Sequence, residues 1–128
     1  MLRIIVILIL LYILFRKIFV VFLKSRENYN NRTHIFMVQK ANTYENRKKG
    51  LMFVKKKLGK NMGMLFDYKT NKIISLWMKN TYIPLDAIFM NDKSKVVDII
   101  HNLKPLSKKT YSSKVLARYV LEVNSASV

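Results

Sequence analysis

The 128 residues carry 24 Lys and Arg against seven Asp and Glu, a formal net charge of +17, with hydrophobic residues at 51% and no cysteine. That length admits one domain plus an appendage, and the apolar fraction excludes a chain without a core. The missing cysteine excludes disulfide frameworks, thiolate metal sites and cysteine catalysis, while the charge favours anionic partners unless the lysines are simply dispersed and solvated.

Residues 4–15 (IIVILILLYILF) are apolar apart from the Tyr12 hydroxyl; Arg16 and Lys17 interrupt, and Ile18–Leu23 continues the run. Twelve helical residues span about 18 Å, short of a hydrocarbon core of about 30 Å, whereas Leu2–Leu23 as one helix would reach about 33 Å. Each buried cation costs roughly 2.5–3.5 kcal/mol at mid-bilayer and less near the ends. No A-x-A-like cleavage site follows. Residues 1–24 are therefore expected to be an uncleaved, single-pass transmembrane helix, with an interfacial helix over Ile18–Leu23 as the competitor. Cations crowd the distal flank, which suits a cytoplasmic domain, yet Arg3 followed by an apolar run suits export. Residues 25–33 (SRENYNNRT) are polar and aperiodic, a short tether to a domain over 34–128.

In that domain His34–Gln39 is expected as the first strand. Thr43 can cap a short helix, Tyr44–Lys49, ended by Gly50, after which Leu51, Met52 and Phe53 re-enter the core. Lys55–Lys57 and Lys60 form a basic turn, Met64–Phe66 a short apolar run, and Asp67–Asn71 a turn. Further strands are expected at Ile73–Met78, Leu85–Met90, Lys95–Ile100 and Val115–Val123, the last with Arg118 and Glu122 on one face by alternation. Lys104–Lys114 reads as a loop. About five strands, one short helix and no βαβ spacing predict a mainly β, small α+β domain, a compact antiparallel sheet curled toward a barrel.

Three segments in order, Thr43–Met52 (TYENRKKGLM), Gly63–Phe66 (GMLF) and Trp77–Asp86 (WMKNTYIPLD), with Tyr119–Asn124 (YVLEVN) as a closing strand, resemble the domain of unknown function 192 family. The resemblance covers residues 34 to about 124. It implies a compact β-rich domain, frequently behind a signal peptide or membrane anchor, with no established activity, and it tips the localisation toward export to the periplasm or cell exterior. Two departures stand out. The helix carries Asn46 where the family usually has an acid before the arginine, with Glu45 one residue earlier. The family pattern usually continues past the equivalent of Asn124, so a missing sheet edge beside Val115–Val123 is expected.

The most chemically loaded stretch is Lys79-Asn80-Thr81 with Asp86 five residues on. It offers an amine, an amide, a hydroxyl and a carboxylate beside Trp77, on a loop between apolar strands. Arg47 and Glu45 from the helix are expected to complete a pocket for a small polar or glycan-like ligand, with Trp77 as an apolar or stacking wall. In the plain structural alternative, Asn80 and Thr81 satisfy a turn before Pro84, Asp86 pairs with Lys79 or Arg47, and Trp77 is core. His34 and His101 have no spaced metal-binding partner, and no cofactor motif or catalytic Ser-His-Asp pattern is present. The leading reading is thus a non-enzymatic, membrane-attached binding or accessory module without a cofactor. The rivals are a basic module docking anionic lipid or, less favoured, nucleic acid through Lys55–Lys57, Lys60, Lys108 and Lys109, and an enzyme of unrecognised type using Lys79 and Asp86.

Overall fold

A computed structural model describes the backbone of residues 5–13, 16–27 and 30–128 and the side chains of residues 34–128. The parts of the expected anchor at 1–4 and 14–15, and of the expected tether at 28–29, lie outside the described residues.

The strands are β1 (Ile5–Ile13), β2 (Arg16–Glu27), β3 (Asn30–Ala41), β4 (Met62–Lys72), β5 (Ser75–Leu76), β6 (Leu85–Met90), β7 (Val96–Leu103), β8 (Tyr111–Ser112) and β9 (Ala117–Asn124), with one helix, α1 (Tyr44–Lys49). Seven strands form one sheet in the order β1-β2-β3-β4-β9-β6-β7, and β5 pairs with β8 in a small second sheet. The domain is mainly β with one short helix, as the sequence predicts. The sheet is not closed into a barrel, because its outer strands β1 and β7 are not paired with each other.

Four expectations need correction. The segment expected as a transmembrane helix contributes β1 and β2, paired antiparallel with each other, and β2 pairs with β3. Its Ile, Val and Phe content suits strands as readily as an apolar helix. No helix among the described residues is long and apolar enough to cross a membrane. The sheet is mixed, since β3 and β4 run parallel with Met37 opposite Met62 and Ala41 opposite Phe66. Their crossover carries α1, a helix of six residues that is too short for its periodicity to announce a βαβ unit. The turn expected at Asp67–Asn71 lies inside β4 as an irregularity in its pairing with β9, with Lys69 at φ 71°. Finally, β9 is flanked by β4 and β6, so the closing strand is interior, not beside a vacant edge.

The helix forms where its caps predict. The Thr43 hydroxyl accepts from the Asn46 backbone N–H at 3.1 Å, and the Gly50 N–H donates to the Asn46 carbonyl at 2.9 Å. None of its residues is buried, so it lies over the sheet as a cover, held by its ends.

Both sheet faces are apolar. One cluster includes Phe66, Ile74, Leu76, Met78, Leu85, Phe89 and Val120 on the face toward α1; the other includes Phe36, Val38, Leu65, Ile88, Met90, Leu121 and Val123. All six residues of β6 are buried, which is why its sequence reads as a continuous rather than an alternating strand. Gly63 leaves no room for a side chain between β4 and β9: a Cβ there would lie 2.6 Å from the Glu122 carbonyl oxygen and 3.0 Å from Val123 Cγ1.

Candidate functional site

Between α1, the segment Ser75–Met78 and the upper face of β4 and β9 lies a cavity of about 340 Å³. The side of β9 facing it is set by alternation. Val120 and Glu122 share a face, and Glu122 stands beside Met64 of β4 and Ala87 of β6. The apolar lining includes Leu51, Phe66, Leu76, Met78, Leu85 and Trp77, while Arg47, Lys48, Lys49 and Lys72 bring cations to it.

Glu122 is the acidic residue in that lining. It is 6% exposed, and among the described residues its carboxyl has no hydrogen-bond or ion-pair partner. Burial pushes its pKa up to about 8. At neutral pH the cavity wall therefore presents a protonated carboxylic acid that can both donate and accept. Tyr68, also in the lining, is pushed up to about 12 by burial, with the Glu122 charge adding to the shift and Arg47 opposing it. Its hydroxyl stays protonated and its ring carries cations: the Arg47 guanidinium lies 5.2 Å and Lys72 Nζ 5.0 Å from the centroid.

Arg47 is positioned by donating from one nitrogen to the carbonyls of Asn42 (3.0 Å) and Asp67 (3.1 Å), which ties α1 to β4. Asp67 itself is buried among Arg118, Lys40 and Lys69, with Arg118 Nε 3.1 Å from its Oδ1. Burial alone would raise its pKa, but the Arg118 hydrogen bond, the Lys69 N–H and the neighbouring positive charges outweigh it and hold the carboxylate below its usual range.

Of the seven residues singled out from sequence, the cavity brings together Arg47, Trp77 and Thr81. Trp77 is half exposed rather than core, and Lys79 Nζ lies 5.8 Å from its ring centroid. Thr81 is buried, its hydroxyl donating to the Lys79 carbonyl at 3.2 Å. Asn80 stands at φ 53° with its carbonyl accepting from Phe53 N–H at 2.7 Å, a turn role. Glu45 is exposed and outside the cavity lining. Asp86 is fully buried away from it, accepting from the backbone N–H of Asn102 (2.8 Å) and Ala126 (3.0 Å), with His101 Nδ1 at 3.3 Å. It staples β6 to the end of β7 and the turn after β9, and neither Lys79 nor Arg47 is its partner. Sequence reading passed over Tyr68 and Lys72, and placed Glu122 on one face with Arg118 without assigning it to the site. The available signal was one acid inside the apolar run YVLEV, on a strand buried on both faces. Among the described residues no group of three His, Cys, Asp or Glu side chains could hold a metal ion.

Residues 26–128 match the family model DUF192, described as Uncharacterized ACR. The chain belongs to that family. A solved relative of this DUF192 chain comes from Sinorhizobium meliloti and is described, provisionally, as a transcription regulator. It is 36% identical, with 77% of this chain and 75% of that one covered at a TM-score of 0.73. A protein of unknown function from Novosphingobium aromaticivorans is 28% identical over 92% of this chain and 82% of its own, at a TM-score of 0.74. No curated protein matches this DUF192 chain.

Proposed function

We propose that this DUF192 domain is a binding module for a small polar ligand that carries an anionic group and several hydroxyls, with the chemistry of a sugar acid. The observation that supports it most is Glu122: a largely buried side chain whose carboxyl opens on a cavity large enough for a monosaccharide and meets no hydrogen-bond or ion-pair partner among the described residues. Half-exposed Trp77 supplies an apolar face against which a sugar ring can lie. Arg47, Lys48, Lys49 and Lys72 attract the anionic group, and Glu122 exchanges hydrogen bonds with a hydroxyl.

Calorimetric titration with glucuronate, glucose and N-acetylglucosamine tests this reading. Saturable binding is expected for glucuronate, weaker binding for the neutral sugars, and a loss of at least tenfold in Glu122→Leu or Arg47→Gln, the scale of one deleted hydrogen bond. No saturable heat from any of the three sugars would contradict it.

A second reading rests on the same protonated acid, which is competent as a general acid. Turnover of a sugar-acid conjugate, abolished in Glu122→Gln, would make the module an enzyme built on Glu122 instead of Lys79 and Asp86. Attachment to a membrane is supported by the sequence of residues 4–23, where Arg16 and Lys17 are the only charges.

A further inference from the structure

Three loops beside the cavity meet through backbone hydrogen bonds. Phe53 N–H donates to the Asn80 carbonyl at 2.7 Å, and Leu106 N–H donates to the Thr81 carbonyl at 2.9 Å. The loops therefore present one surface, whose tips are Phe53 (60% exposed), Tyr82 (41%) and Leu106 (52%). Phe53 and Leu106 hold these positions at φ 66° and 58°, a left-handed backbone that bulky side chains rarely adopt. Cations surround the tips: Lys55 Nζ lies 5.9 Å from the Tyr82 ring, and Lys56, Lys57, Lys104 and Lys108 are exposed on the same loops. Acidic residues are absent from the three loops 51–61, 79–84 and 104–110.

We propose that this surface docks on the headgroup region of an anionic lipid bilayer, with Phe53, Tyr82 and Leu106 entering the interface and the lysines pairing with headgroup charges. The proposal is independent of the cavity. Exposed apolar tips ringed by cations are complementary to a bilayer interface, apolar a few ångströms below an anionic plane. Nucleic acid is the less fitting polyanion. Residues 51–61, 79–84 and 104–110 hold lysine but no arginine, the side chain suited to bidentate contacts with phosphates and base edges, and Leu106 cannot stack on a base.

Because the chain has no cysteine, Leu106→Cys in the full chain carries one environment-sensitive fluorophore at a loop tip. This reports the loop itself, whatever the N-terminal segment does. Phosphatidylcholine vesicles containing phosphatidylserine should blue-shift the emission and raise it several-fold, and pure phosphatidylcholine should not. Replacing Lys55, Lys56 and Lys57 by Gln should weaken the response on the order of a hundredfold, at roughly fivefold per lysine near an anionic surface. Three results would overturn the proposal: vesicle-bound protein with an unchanged fluorophore, equal responses to both vesicle types, or a response to a single-stranded oligonucleotide and none to vesicles.

Discussion

A buried carboxyl group keeps its proton far above the pH at which an exposed one loses it, and Glu122, which meets no partner among the described residues, is in that position. The unfolded chain releases this proton near 4.5, whereas the folded chain holds it up to about 8. Between those values the folded state binds a proton that the unfolded state does not, so stability falls as pH rises through the window and is fully present only below it. Glu122→Gln removes the ionisation, so it should stabilise the domain by roughly 3 kcal/mol near pH 7 and by little near pH 4. Thermal unfolding of both proteins across that range checks this, and parallel pH profiles would show that Glu122 ionises normally. Asp67 has the opposite sign. Its carboxylate is held below the usual range by Arg118 and Lys69, so its contribution is present above the ordinary carboxylate pKa and is lost as pH falls. Asp67→Asn should lower the melting temperature at neutral pH, with the difference closing in acid.

Elements here depend on a few close approaches. Gly63→Ala would place a Cβ 2.6 Å from the Glu122 carbonyl oxygen, a backbone atom that cannot turn aside, so β4 and β9 must separate. A loss of about 2–3 kcal/mol is expected in denaturant unfolding, in the range of overpacked cores. The same substitution at exposed Gly59 would meet only the flexible Met62 side chain and should cost far less. Helix α1 and its caps were legible in the sequence because Thr43, the basic last turn and Gly50 act locally. The paired strands β6 and β7 were legible because each is a run of β-formers bounded by turn residues. Less of the candidate site was legible, since Glu122, Tyr68 and Arg47 meet only through the parallel β3–β4 pairing and the central place of β9. Neither leaves a local signal. The Lys79–Asp86 stretch drew attention by its density of polar groups, yet Asp86 faces away and serves the backbone of Asn102 and Ala126. Phe53, expected in the core, instead stands exposed at a loop tip.

For the whole molecule, the sheet order predicts where protection against hydrogen exchange is greatest. β9 lies between β4 and β6 and should be among the slowest segments, while β7, paired on one side by β6, should exchange faster. The side of the membrane on which the domain lies can be read in intact cells. Ser112 is exposed, so Ser112→Cys should react with a membrane-impermeant thiol reagent without lysis, and protection until lysis would place the domain in the cytoplasm. The central claim, that the cavity beside Glu122 takes a small anionic sugar, is tested most directly by following Trp77 and Glu122 in a nitrogen-15 NMR spectrum. The chain has a single tryptophan, so its indole N–H signal is unambiguous. Glucuronate should shift the Trp77 indole and Glu122 amide signals saturably, and the Trp77 shift should vanish in Glu122→Leu. Signals at both residues that stay still while those of the exposed lysine loops move would mean that the sugar acid meets only surface charge, and the cavity would lose its assigned role.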